Sequence, residues 1–100
     1  MITRTWHGRT HISKAEEYLK LMRTVAIPDY KSTLGNISAW ALYRADGDVA
    51  HFLMVTQWES YEVIKAFAGE DIETAKYYDF DKDYLLEFEP YSYHYETYES

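Results

Sequence analysis

Residues 58–84 read Trp58-Glu-Ser60-Tyr61-Glu-Val-Ile64-Lys-Ala-Phe67-Ala68-Gly69-Glu-Asp71-Ile72-Glu-Thr-Ala75-Lys-Tyr77-Tyr78-Asp79-Phe80-Asp81-Lys-Asp83-Tyr84. A strand closes on Trp58. Ser60 offers a side-chain oxygen to the free N–H groups of a following helix, whose inward positions are Tyr61, Ile64, Phe67 and Ala68. Gly69 ends that helix. Asp71 is suited to cap a second helix with Ile72, Ala75 and Tyr78 inward, and a further turn includes Tyr84 and Leu85. Neighbours on a helix differ by about 100°, so one of Tyr77 and Tyr78 faces inward and the other does not. Trp58, Phe67, Tyr77, Tyr78, Phe80 and Tyr84 then surround one small space, either the wall of a pocket or a core.

Upstream, residues 2–10 alternate as a strand. Ile2, Arg4, Trp6 and Gly8 share one face; Thr3, Thr5, His7 and Arg9 share the other. Ser13 and Glu16 have capping-box spacing. Ala15, Tyr18, Leu19, Met22, Val25 and Ala26 follow as a helical apolar stripe. Pro28 is expected to disturb or end this helix. Asn36 to Ala45 and Val49 to Glu59 read as strands joined at Asp46-Gly47, a type I′ hairpin signal. Glu87 to Tyr98 reads as a final strand with Pro90 near its start or at an edge. The order β-α-β-β-α-β predicts one α+β domain over residues 1–100. It is a ferredoxin-like four-stranded antiparallel sheet with helices on one face.

Two strands are apolar on both faces: Ala39-Trp40-Ala41-Leu42-Tyr43 and Phe52-Leu53-Met54-Val55. Helices cover only one face, so the other exposes a patch that a monomer seldom tolerates. A second copy in a two-fold dimer is the expected cover, with the chain's own tail as the alternative.

The net charge of −7 and the lack of a Lys/Arg cluster argue against nucleic acid and anionic membrane as partners. No apolar run approaches the ~20 residues of a membrane span. The N-terminus Met-Ile-Thr-Arg-Thr-Trp-His is too polar for a signal peptide. The absence of cysteine removes thiolate chemistry and Cys-based metal sites, and fits a cytoplasmic location. Eleven tyrosines, each needing a hydroxyl partner when buried, favour half-buried surfaces and pockets over an aliphatic core.

Four histidines supply candidate bases. His7 leads, because Thr5, His7 and Arg9 share a face and Arg9 could hold an anion that His7 creates. His94 and His51 follow, and His11 falls in the loop before Ser13. The histidine spacing suggests no metal site. Asp79, Asp81 and Asp83 suit an acidic helix entry. The glycine and glutamate that a Ca²⁺ loop requires are not in place. Trp58, Phe67, Tyr77, Tyr78 and Tyr84 are candidate substrate contacts, with His51 beside them.

Several features together resemble the small antibiotic biosynthesis monooxygenase-like proteins of the dimeric α+β barrel superfamily. They are Pro28-Asp29-Tyr30, Gly35-Asn36, Arg44, the run Gly47-Asp48-Val49-Ala50-His51-Phe52, and Trp58-Glu59-Ser60. Further along come Phe67-Ala68-Gly69 with Ile72 and Ala75, Tyr77-Tyr78, Asp81, Leu85 and His94-Tyr95-Glu96. The resemblance covers nearly the whole chain. It implies a homodimer whose sheets form a barrel, with a pocket between sheet and helices in each subunit. It also implies oxidation of a small aromatic hydroquinone- or phenol-like substrate by O₂ without a cofactor. In the haem-degrading branch an asparagine, a tryptophan and a histidine line the pocket. The corresponding positions here are His7, Phe67 and Tyr77, so haem degradation is not the expected activity. A non-catalytic homodimer that binds a small ligand is the other expectation.

Overall fold

The computed structural model describes residues 1–99 of the chain; Ser100, the last residue of the acidic tail, lies outside them. Strand β1 spans Ile2–His11, β2 Asn36–Asp46, β3 Val49–Trp58 and β4 Tyr93–Glu96. They form one antiparallel sheet in the order β2-β3-β1-β4. Helix α1 (Ala15–Leu21) runs through a π-helical stretch, Met22–Ala26, into α2 (Ile27–Ser32), and α3 spans Tyr61–Ala68. This is the expected α+β ferredoxin-like arrangement. No described helix is long and apolar enough to cross a membrane.

Burial alternates along β1 and β3 with period two. Ile2, Arg4, Trp6, Ala50, Phe52, Met54 and Trp58 turn towards the helices and meet Tyr18, Met22, Ala26, Tyr30, Ile64 and Phe67 in one core. Gly8 belongs to this face because a Cβ there would lie 2.3 Å from the Trp6 ring. Thr3, Thr5, His7, Arg9, His51, Leu53 and Val55 occupy the opposite face. Among the described residues no helix lies over that face as a layer, and Trp40 and Leu42 on it are about half exposed, at 50% and 46%.

Several local expectations are corrected. Ser13 does not cap through its side chain. Its N–H donates to His11 Nδ1 (3.1 Å), a 3-10 turn occupies Ile12–Lys14, and α1 opens at Ala15 without a side-chain cap. Pro28 disturbs the helix, as expected, without ending it. The preceding π stretch, in which Ile27 N–H reaches the Met22 carbonyl, supplies the extra residue that lets the chain absorb a missing donor. The hairpin loop is Gly47-Asp48 with positive φ at Gly47 alone (+59°), the type II′ pattern rather than I′.

The second helix expected from Asp71 does not form. Asp71 Oδ1 accepts the Glu73 N–H (3.2 Å) in a single turn. The chain then extends, with Ala75 N–H on the Pro90 carbonyl (3.0 Å) and Ser92 N–H on the Glu73 carbonyl (2.8 Å). An eight-residue helix is marginal alone, and this short ladder with the later chain displaces it. The final strand is correspondingly short, Tyr93–Glu96. Asp79 and Asp81 do lie at a helix entry, the first turn of the 3-10 helix Asp79–Asp83, but Asp81 is buried there. It is 1% exposed and accepts from Tyr18 Oη (2.7 Å) and Tyr78 N–H (2.6 Å), which closes the 3-10 turn Asp79–Asp83.

Candidate functional site

The aromatic residues of the 58–84 stretch are packed in separate groups. Trp58 is fully buried, its indole N–H donates to Thr56 Oγ1 (2.8 Å), and its ring lies 5.7 Å from Phe67. Phe67 also meets Tyr30 at 4.8 Å and carries the Lys76 ammonium 4.1 Å above its face. Tyr78 stacks on Phe80 and donates its hydroxyl to Asp29 Oδ2 (2.7 Å). Tyr84 leans on Tyr18 at 5.5 Å. Tyr77 contacts Trp6 and Phe88 and donates its hydroxyl to the Glu89 carbonyl. Tyr77 and Tyr78 are not on a helix, so the inward-or-outward choice does not arise; both are partly buried against the core.

The histidines divide between the two faces of the sheet. His94 pairs with Arg4 across β1 and β4, and its Nε2 lies 3.2 Å from Arg4 Nη1. Burial and the guanidinium push its pKa down to about 4. Arg4 uses its Nε2 lone pair, so His94 is not a free base.

His7 and His51 lie together on the open face. Their rings stack 5.3 Å apart, with His7 Nε2 at 3.0 Å from His51 Nδ1, and His7 Nδ1 pairs with the Glu89 carboxylate. The Glu89 contact fixes one proton position. A carboxylate only accepts, so His7 Nδ1 carries the proton. The His7–His51 contact admits a proton on either nitrogen; with the proton on His51 Nδ1, donated to His7 Nε2, the His51 Nε2 lone pair has no partner among the described residues and is backed by a relay ending in a carboxylate. Desolvation, with Arg44, His7 and Arg9 nearby, holds His51 below its ordinary pKa and therefore neutral at pH 7.

This pair opens onto a cleft of about 430 Å³ lined by His7, Leu42, Tyr43, Arg44, His51 and Leu53. Leucine walls and one free imidazole nitrogen suit a small aromatic ring with an acidic proton. Arg9 shares the face but is engaged by Glu87, with Nη2 and Nε at 2.7 and 2.9 Å from Oε1. Arg44, whose carboxylate contact with Asp46 is a loose 3.7 Å, is the better-placed cation for an anion in the cleft.

Glu89 was missing from the sequence-based candidates. Its signal is the alternation Glu87-x-Glu89 set against His7-x-Arg9. The segment after Leu85 runs antiparallel beside the end of β1, with Leu86 N–H on the Arg9 carbonyl (2.9 Å), and matches each acid to a base. Among the described residues, no three His, Cys, Asp or Glu side chains converge as a metal site.

The sequence matches no family model, and no curated protein matches it. Solved structures do match. A candidate antibiotic biosynthesis monooxygenase from Nitrosomonas europaea aligns at TM-score 0.72 and 15% identity, over 97% of this chain and 98% of that one. A candidate antibiotic biosynthesis monooxygenase from Bacillus cereus aligns at 0.69 and 13%, over 100% and 95%. An arginine-to-serine mutant of MhuD, with two manganese protoporphyrin IX bound per active site, aligns at 0.62 and 15%, over 100% and 97%. The chain therefore has the fold of the antibiotic biosynthesis monooxygenase-like proteins.

Proposed function

We propose that the protein is a cofactor-independent monooxygenase of a small aromatic hydroquinone- or phenol-like substrate, working as a homodimer in the cytoplasm. The Glu89–His7–His51 relay, ending in a free imidazole nitrogen at an apolar cleft, carries this reading. His51 Nε2 removes an acidic substrate proton, and the relay to Glu89 stabilises the imidazolium that results. Arg44 holds the substrate oxyanion. The anion gives an electron to O₂ far more readily than the neutral molecule does. Recombination places one oxygen on carbon, and loss of water completes the step. For an anthrone, the methylene becomes a carbonyl and the second oxygen leaves as water. Both electron pairs come from the substrate. A second copy over the open sheet face would shut water out of the cleft.

Haem fits these residues poorly. Tyr77 is at the position where the family resemblance puts the axial histidine. Burial raises its pKa and its hydroxyl is committed to the Glu89 carbonyl, so the tyrosinate needed to ligate iron is disfavoured. The test of the proposal is turnover of anthrones and hydroquinones with and without air. Oxygen-dependent quinone formation that is lost in His51→Ala supports it. Binding without turnover would leave a non-catalytic ligand-binding module instead.

A further inference from the structure

A second cleft, of about 450 Å³, lies on the other side of the molecule between the start of α3 and β4, lined by Tyr61, Ile72, Glu73, Tyr91, Ser92, Tyr93 and His94. Two features of it are unexplained by folding. Ser92 is 2% exposed, and its hydroxyl has no hydrogen-bond partner among the described residues. A native chain seldom strands a buried hydroxyl without a ligand or water to meet it. Behind the cleft, the Arg4 guanidinium is 3% exposed and has no carboxylate within 4 Å among the described residues. Its Nη1 donates to the Ile72 carbonyl (2.5 Å), its Nη2 reaches the Thr74 carbonyl at 3.4 Å, and Phe67 lies under it. Arginine stays protonated even when buried, so this is a positive charge without a matching negative one.

Arg4 also sets the chemistry of His94. By donating to Nε2 (3.2 Å), it obliges the neutral imidazole to carry its proton on Nδ1. His94 thus offers the cleft a fixed donor. The depressed pKa keeps this tautomer unchanged across neutral pH. The short ladder with residues 73–75 holds the neighbouring Ser92 backbone in place.

We infer that this cleft binds a single-ring aromatic carboxylate, with one oxygen on the Ser92 hydroxyl, the other on His94 Nδ1–H, and the ring against Tyr61. Two donors match the two oxygens of a carboxylate, and the unbalanced guanidinium supplies the field that favours an anion. Tyr61 is 42% exposed, and its ring lies 6.1 Å from that of His94. Glu73 at the exposed rim opposes an anion and weakens the site without blocking it. The inference is independent of the proposed oxygenation, whose cleft is on the opposite sheet face.

The test is titration with 4-hydroxybenzoate and its neutral isostere 4-hydroxybenzamide, followed by amide chemical shifts and calorimetry. The acid is expected to bind about tenfold more tightly than the amide and to shift residues 91–94. Ser92→Ala is expected to lose about tenfold in affinity for the acid while its melting temperature stays level or rises, because a stranded hydroxyl is removed. Glu73→Gln tightens binding, and His51→Ala leaves it unchanged. Equal affinity for acid and amide, no binding at millimolar concentration, full affinity in Ser92→Ala, or loss in His51→Ala would each overturn the inference.

Discussion

A single lone pair, that of His51 Nε2, is where the proposed chemistry concentrates, and its properties are set by residues far away in sequence. Its pKa lies below 6.5, so the free base dominates at neutral pH and is lost as pH falls through that lowered value. The acid limb of kcat/KM should therefore lie below pH 6.5. A limb above it would assign the step to another group. His51→Ala should lower kcat by about 10²–10⁴-fold, the usual worth of a positioned base. Glu89→Gln should lower kcat with little change in KM, because it weakens the relay without touching the cleft wall. A comparable argument applies in the core. Thr56 Oγ1 is the partner of the Trp58 indole N–H at 2.8 Å, and both residues are buried. Thr56→Val keeps the shape but strands that donor, and should cost about 1–3 kcal/mol in urea unfolding. A cost near zero would mean that water or a shifted ring replaces the hydroxyl.

Glycines test how the elements fit together. Gly35 in the α2–β2 connection has φ of +96°, and a Cβ there would sit 2.6 Å from Val63 on α3. Gly69 has φ of +93° but open space around it. Gly69→Ala should therefore cost only the backbone term, about 1–3 kcal/mol. Gly35→Ala should cost that and a clash between connection and helix. A double-mutant cycle with Val63→Ala should recover the part of the clash made by the two Val63 methyl groups (2.7 Å) and leave the part made by its Cβ (2.6 Å) with the backbone cost, and zero coupling would show that α3 simply moves aside. The same contrast explains what the sequence made legible. β1 read correctly because its alternation is local, β3 because an apolar run follows the hairpin glycine Gly47, and α3 because Ser60 Oγ caps Val63 N–H and Gly69 stops it. The helix expected after Asp71 failed because its competitor, the ladder between residues 73–75 and 90–92, is a contact between segments distant in the chain. Pro28 was legible as a disturbance, but the π turn that lets the helix continue is invisible to propensity. The site was half legible: His7 and His51 were candidates, but Glu89 meets His7 across 82 positions of chain. His94 was grouped with His7 although β4's register turns it to the helix side of the sheet, against Arg4.

At the scale of the whole molecule, the open sheet face is the unresolved balance of apolar surface. Trp40 and Leu42 are half exposed, and Tyr93 and Tyr95 at the other edge are 60% and 56% exposed. Burying such a patch returns roughly 25 cal/mol per Å², so leaving it wet on a 100-residue domain forfeits a sizeable share of the 5–15 kcal/mol that holds such a domain folded. The chain's surplus of negative charge would oppose association, but the arginines around the His7–His51 cleft are each met by an acid, Arg9 by Glu87 and Arg44 by Asp46, so much of the charge on this side of the face is paired. Sedimentation at micromolar concentration should then give twice the 11.9 kDa chain mass, and Trp40→Lys with Leu42→Lys should give one chain mass with the fold retained by circular dichroism. If the second copy also closes the His51 cleft, specific activity should fall with dilution in parallel with dissociation, and the lysine variant should bind substrate but turn it over slowly. A wild-type chain that sediments as a monomer and keeps full activity would show instead that the cleft works open and that the exposed face serves something other than self-association.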